Sequence, residues 1–305
     1  MTLRQIEVFL AVAQARNFSR AAKTIHLSQP TLSEHISELE HEVGKPLLFR
    51  RHREVTLTEA GRVFEPYALS IISAVDGARQ AMADLDGVGR GSLLIGASTT
   101  PGLYVMPHIV AMFRARYPGV DLKLQIANSQ VIEGRVRERE LDLGIVGGHA
   151  VVPGEECLAA GLLDELVLIV PPGHPWASRS EIAPAQLAEH PLLVREEGSA
   201  TRRVIERALQ RAKVKTRIVM ELDHTEAIKQ AVMAGLGVAL VSTYAIRGEV
   251  ETGRLCQVRL RGLRLQRHFH VLHHEGRRVS ASARAFMEML ADAARRPKKT
   301  TAKRR

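Results

Sequence analysis

The 305-residue chain holds only two cysteines, Cys157 and Cys256. Two thiols make neither a disulfide framework nor a zinc site, so buried free thiols are expected. No positively charged segment precedes an apolar one near the N-terminus, and no apolar run approaches the ~20 residues of a membrane span. The expectation is a cytoplasmic protein with no membrane contact. Catalytic signatures are missing as well: there is no P-loop, no HExxH and no GxSxG. The GVGRG at 87–91 follows a helical stretch rather than a strand, so it lacks the context of a dinucleotide fingerprint. His268, His270 and His274 share one strand face, yet no acid or cysteine stands at ligand spacing. Neither an enzyme, a cofactor nor a metal centre is expected.

What is present is enough for two domains with real cores, since 45% of residues are hydrophobic. The formal charge of +10 is unevenly placed. Residues 295–305 carry Arg295, Arg296, Lys298, Lys299, Lys303, Arg304 and Arg305 without an acid. This reads as a disordered basic tail, able to add only non-specific DNA affinity by counterion release.

The most informative stretch is SRAAKTIHLSQPTLSEHI, from Ser19 to Ile36. Before it, Leu3, Ile6, Phe9, Leu10 and Ala13 recur at helical spacing. A second helix follows, with Ser19 as its expected N-cap and Ala21 and Ala22 small enough for close helix approach. Ile25 and Leu27 close a corner. Ser28 is suited to cap a third helix with Pro30 in its first turn, and Leu32, Ile36, Leu39 and Val43 form its buried stripe before Gly44. Left outward are Gln29, Thr31, Ser33, Glu34 and His35, side chains of the kind that read base edges in a major groove. Short apolar runs then bracket Arg50, Arg51, His52 and Arg53, a two-stranded wing with a basic tip suited to phosphates or the minor groove. The periodicity alone also fits an ordinary three-helix packing unit with a solvated polar face.

The first 65 residues resemble the LysR-type transcriptional regulators, through LRQIEVFLAVAQARNFSRAAKTIHLSQPTLSEHISELEHEVGKPLLFRR followed by LTEAGRVF. The resemblance implies an α/β protein with an N-terminal winged helix-turn-helix, a long linker helix and a two-lobed effector domain of periplasmic-binding-protein type. By position, Gln29, Pro30, Thr31, Ser33 and Glu34 would face the major groove, and Arg53 would lie nearest the minor groove. Glu34 departs from the basic or amide side chain many relatives carry there, so no relative's operator sequence can be borrowed.

Thr58 is suited to cap the linker helix, with Glu59 favourably placed for its dipole. Ala60, Phe64, Tyr67, Ile71, Val75, Ala78, Met82 and Leu85 form an apolar stripe that a lone helix cannot bury, so pairing with a second copy is expected. Gly87, Gly89 and Gly91 end it in a joint. Pro66 should bend it near residues 62–66. Two-fold pairing separates the recognition helices by about one DNA turn, ~34 Å, or a multiple.

From Ser92 strands alternate with helices, an order that implies a parallel sheet with crossover helices. SLLIGAS, VDLKLQIA, LDLGIVGG, LVLIVPP, PLLVRE, RIVMEL, VALVS and HFHVLHH read as strands, with helices at Leu103–Tyr117, Val131–Glu140, Arg202–Ala212, Thr225–Ala234 and Ser280–Ala294. Ligands of open α/β sheets sit at the carboxyl ends of strands. Those places carry Ser98, Thr99 and Thr100, Asn128 and Ser129, Gly147 and Gly148, Ser199 and Thr201, and His224 and Thr225. Hydroxyls and free N–H groups there make an anion site, with Arg202 and Arg203 as a charged clamp. Taken singly, each hydroxyl also reads as a plain N-cap. GASTTPGLYVMPHI and EEGSATRR look similar to the branch of the family that regulates sulfur and carbon assimilation.

The expected domains are 1–58 for DNA binding, 59–90 for the linker, 91–294 for the effector and 295–305 for the tail. The resemblance implies a first lobe of about 91–163 and 266–294, and a second of about 164–265. The expected function is sequence-specific binding to a double-stranded operator by a homodimer or homotetramer. A small anionic effector between the lobes would modulate operator geometry and RNA polymerase recruitment. The rival readings are an architectural DNA protein relying on its tail and a solute-binding protein without regulated operator recognition.

Overall fold

Thr2 opens the first helix, α1 (Leu3–Ala15), with a reciprocal cap. Its hydroxyl accepts the Gln5 N–H at 3.2 Å, and the Gln5 side chain accepts the Thr2 N–H at 2.7 Å. In the computed structural model, which describes residues 1–51, 54–84, 91–148, 155–275 and 279–295, two units follow from here. One is Met1–Met82 with Glu138–Glu140, the other Ala83–Arg137 with Leu141–Arg305.

In the first unit α2 (Phe18–Thr24) is capped by Asn17, whose side chain accepts the Arg20 N–H at 2.9 Å. Ser19, the expected cap, lies inside the helix and donates instead to Gln29 Oε1 at 3.0 Å. Ser28 does cap α3 (Gln29–Val43), and Gly44 ends it at φ +73°. Leu32, Ile36 and Leu39 are fully buried with Ile6, Phe9 and Val12, whereas Val43, expected in the same stripe, is exposed beyond the last core contact. Strands β1 (Leu48–Arg51) and β2 (Glu54–Leu57) pair antiparallel as a hairpin. Glu40 holds its base, accepting the Leu47 and Leu48 N–H groups at 2.7 and 3.0 Å.

Thr58 caps α4 (Glu59–Asp84), accepting the Gly61 N–H at 2.9 Å and donating to the Pro46 carbonyl at 2.7 Å. Pro66 lies inside this helix, which is continuous through it. The expected stripe is buried in part and exposed in part. Phe64, Ala68, Ile71 and Ile72 pack on the core of their own unit, with Phe64 edge-on to Phe9 at 5.2 Å. Val63, Tyr67 and Met82 are exposed, at 61%, 66% and 64%. Met82, about five turns after Phe64, lies on the same helix face but past the end of the core, and Tyr67 lies at the margin of the packed arc. Leu85, Gly87 and Gly89 lie outside the described residues.

The second unit contains a sheet of ten strands among the described residues, in the order β4-β3-β5-β12-β6-β10-β8-β9, with β11 paired to the central β6 and the short β7 paired to β11. On one flank β3 (Gly91–Ser98) lies parallel to β4 (Val120–Ala127) and β5 (Leu143–Gly147). On the other, β8 (Pro191–Arg195) lies parallel to β9 (Arg217–Leu222) and β10 (Val238–Ser242). The centre is not parallel, contrary to expectation. There β12 (Gln266–His274) and the sixteen-residue β6 (Glu155–Val170) run antiparallel to each other and to their neighbours. β6 begins well before the LVLIV run and spans both lobes. Strands β7 (Glu181–Ile182) and β11 (Cys256–Leu260) were not anticipated.

Both faces of the sheet are covered. Along β6, Leu166, Leu168 and Val170 enter one core with Trp176 and Leu192, while Val167 and Ile169 enter another with Ile228 and Val232. That explains an unbroken apolar run instead of alternation. A third core surrounds Phe113, Phe269 and Phe286 under α6 (Met106–Arg116) and α11 (Ala281–Arg295). The helix expected at Leu103–Tyr117 is two helices, α5 (Thr99–Tyr104) and α6, parted at Val105. Pro107 supplies the reason, having no N–H to continue the preceding turn. Helices α7 (Ser129–Arg137), α8 (Ala200–Arg211) and α9 (Thr225–Met233) follow β4, β8 and β9, so their N-termini gather where those strands end. Short helix α10 (Arg247–Glu251) follows β10. Cys157 and Cys256 form no disulfide and are half-buried. No helix among the described residues is long and apolar enough to cross a membrane.

Candidate functional site

The start of α3 presents Gln29, Pro30 and Glu34 to solvent, with Thr31 and Ser33 half-buried beside them. Local hydrogen bonds pre-set this face. Gln29 accepts from Ser19, and the Thr31 hydroxyl meets that of Ser28 at 2.8 Å. His35 is less outward than its neighbours. Its Nδ1 is buried and lies 4.0 Å from Glu38 Oε2, which also accepts from Gln5 Nε2 at 2.8 Å and so ties α3 to α1. The backbones of Arg50 and Arg51 end β1 opposite Val55 and Glu54. Arg53 lies outside the described residues.

In the second unit the predicted polar positions converge, but around two charged residues that sequence reasoning missed. Arg195 ends β8 with its guanidinium buried; Nη1 donates to Thr225 Oγ1 at 2.9 Å and Nη2 to Thr99 Oγ1 at 3.2 Å. Arg267, on β12, donates from Nη1 to Thr201 Oγ1 at 2.9 Å and from Nη2 to Thr100 Oγ1 at 3.2 Å. Each arginine therefore joins a hydroxyl at the start of α5 to one at the start of α8 or α9, across the two lobes. Asp164 Oδ2 accepts from Arg267 Nε at 2.8 Å, and Ser242 donates to Asp164 Oδ1 at 2.5 Å. Burial pushes the Arg267 guanidinium below its ordinary pKa, against the upward pull of Asp164.

Gly147 is required by this arrangement. A Cβ there would stand 2.9 Å from Arg267 Cζ, so only glycine lets the guanidinium lie on the strand end. Ser98 and Ser199 are buried at the N-caps of α5 and α8, and neither makes a side-chain cap bond. The hydroxyls of Thr99, Thr100, Thr201 and Thr225 are likewise spent on arginine rather than on capping. Ser129 accepts the Ala200 N–H at 3.3 Å, while Asn128 accepts the Gln130 N–H at 2.9 Å and donates across the seam to Glu196. Arg202, expected as a clamp, faces away: it pairs with Glu206 and Glu221 on the surface of α8 and β9. Arg203 crosses to Glu133 at 2.8 Å. An open groove of about 750 Å³ between Leu166, Leu240, Leu260 and Arg264 holds none of these hydroxyls.

A signal for Arg195 was present, since PLLVRE places a cation at the carboxyl end of an apolar strand. Arg267 and Asp164 gave no such signal: each stands among other polar residues of its strand, and only the pairing of β12 with β6 sets them side by side.

Residues 3–62 match the bacterial regulatory helix-turn-helix protein, lysR family, and residues 86–295 match the LysR substrate binding domain. Over 298 residues the chain is 38% identical to a RuBisCO operon transcriptional regulator of Allochromatium vinosum, covering 97% of both. A full-length OxyR variant from Pseudomonas aeruginosa has a similar fold, with a TM-score of 0.75 at 24% identity over 97% of this chain and 95% of that one. The CcmR regulatory domain of Synechocystis PCC6803, solved in complex with 2-PG, gives a TM-score of 0.64 at 27% identity over 68% of this chain and 99% of that one. The helix-turn-helix unit and the two-lobed sheet domain thus carry one assignment: the chain belongs to the LysR family of transcriptional regulators.

Proposed function

We propose that this regulator reads a roughly two-fold-symmetric operator through Gln29, Pro30, Thr31, Ser33 and Glu34, flanked by His35. The wing residues Arg50, Arg51 and Arg53 reach phosphates or the minor groove. A small anion bound among Ser98, Thr99, Thr100, Asn128, Ser129, Gly147, Ser199, Thr201 and Thr225 alters lobe closure and so the presentation of the paired reading heads. Arg202 acts only from the rim.

The observation that carries the effector assignment is the pair of buried guanidiniums, Arg195 and Arg267, holding threonine hydroxyls from both lobes. Charge-assisted donors beside uncapped helix starts are the chemistry that binds carboxylates and phosphates. The 2-PG complex of the CcmR regulatory domain favours the same ligand class here. The Allochromatium relative favours carbon-assimilation genes as targets.

The exposed Val63, Tyr67 and Met82 on α4 support pairing of two copies through the linker. The protein acts in the cytoplasm by binding rather than turnover, and recruits RNA polymerase through operator geometry. Residues 1–58 serve as the reading head, 59–90 as the dimerising linker, and 91–294 as the sensor, with lobes of about 91–163 plus 266–294 and 164–265.

Thermal unfolding with 2-PG and other small carboxylates and phosphates tests the sensor. A ligand at a hundredfold excess over its Kd adds about 2.7 kcal/mol and raises the midpoint. Thr100→Val should shrink that rise. No rise with any of these anions would overturn the assignment.

A further inference from the structure

Arg195 already holds a carboxylate. Its Nε donates to Glu196 Oε2 at 2.7 Å and its Nη2 to Glu196 Oε1 at 2.9 Å, the parallel fork in which a guanidinium takes up a free carboxylate or phosphate. Glu196 Oε1 also accepts from Asn128 Nδ2 at 2.5 Å, so the same carboxylate fastens the α8 side of the seam to the α7 side. Asn128 adds a bond to the Glu197 carbonyl at 3.2 Å.

The two carboxylates beside the buried arginines differ in reach. Asp164 is wholly enclosed, whereas the Glu196 side chain is 16% exposed at the seam's edge. Only Glu196 has a path to water, and an incoming anion keeps the buried Arg195 paired when it leaves.

We infer that Glu196 is an internal stand-in for the effector: it occupies the Arg195 fork and ties the lobes through Asn128, and an incoming anion must take that fork from it. This rests on the effector-site reading given above. It assigns the site a built-in competitor. The competitor weakens ligand binding and couples it to the seam, because losing Glu196 from Arg195 also loosens the bond to Asn128. Ligand binding and lobe contact are then two sides of one exchange, which supplies the differential affinity a switch needs.

Isothermal titration of the full-length chain with inorganic phosphate, and separately with 2-PG, tests the inference. Glu196→Gln should tighten both about tenfold, the scale of one charge-assisted hydrogen-bond pair. Glu196→Ala, which leaves no amide against the guanidinium, should move affinity in the same direction. Glu181→Gln makes the same charge change at an exposed pair with Arg261 and should match wild type. Arg195→Met should abolish binding and, combined with Glu196→Gln, erase the gain. If both Glu196 variants bind like wild type or more weakly while Arg195→Met still abolishes binding, the competitor is refuted and the site stands. If Arg195→Met binds normally, the site and the competitor fall together.

Discussion

Arg267 and Asp164 are direct cross-strand partners on β12 and β6, joined at 2.8 Å with side chains only 3% and 0% exposed. The pair links the two strands that run through both lobes, and Thr100 and Thr201 complete the guanidinium's hydrogen bonds. Its strength lies in being whole. Removing one partner leaves the other charge uncompensated, which typically costs about 3–5 kcal/mol. Arg267→Met should therefore lower urea stability by that amount. The double change Arg267→Met with Asp164→Leu should recover most of it, and failure to recover would show that packing rather than charge is lost.

Base reading by α3 makes a separate prediction. Against a duplex selected from random sequence, Gln29→Ala should reduce discrimination by about 1–3 kcal/mol, leaving salt-dependent binding to random DNA intact. Alanine at Arg50 or Arg51 should instead weaken binding to all sequences and flatten the salt slope. Gel retardation at two salt concentrations separates these outcomes. Uniform loss from Gln29→Ala would count against base contact.

Packed and exposed positions on α4 should respond differently to truncation. Phe64→Ala removes a partly buried ring packed on Phe9 and should cost about 1–3 kcal/mol in the stability of its unit. Tyr67→Ala removes a side chain that is 66% exposed and should leave that stability nearly unchanged while weakening self-association. Sedimentation velocity against urea melting tells them apart.

His174 makes one part of the second unit sensitive to acid. Burial and the neighbouring His190 hold its pKa below the ordinary histidine value, and its Nδ1 accepts the Trp176 N–H at 3.2 Å. The folded state thus binds this proton less readily than the unfolded chain. The associated stability is complete above about pH 6.5 and declines as pH falls through the lowered value. Melting temperature should drop on acidification from about pH 7.5 to about pH 5, and His174→Gln should flatten the drop. Parallel curves would exclude His174 as the source.

Sequence pattern was most readable where an apolar run met turn residues on both sides. Strands Val120–Ala127, Arg217–Leu222 and Val238–Ser242 have the expected bounds. Ser28, Pro30 and Gly44 likewise delimit α3, because capping and left-handed backbone are local chemistry. The first half of β6 was illegible, since its pairing with β12 depends on residues more than a hundred positions away. The same distance hid Arg267 and Asp164: a strand arginine looks solvated until topology places an acid opposite it. Hydroxyls at strand ends marked where the seam lies, but not which cation they serve. Arg202 was preferred for its place at a helix start, and its side chain was claimed by Glu206 one turn along.

β6 and β12 also share one break in an otherwise continuous ladder. Their ladder skips between His268 and His270, and opposite that skip Gly161 takes φ +71°, a conformation costly for other residues. A ribbon with a missing rung twists there before it twists elsewhere. Asp164 and Arg267 lie a few residues from this point on strands that stay paired. Under the proposed lobe closure, rotation about this stretch would fall on bonds between separate segments, Asn128 to Glu196 and Ser129 to Ala200.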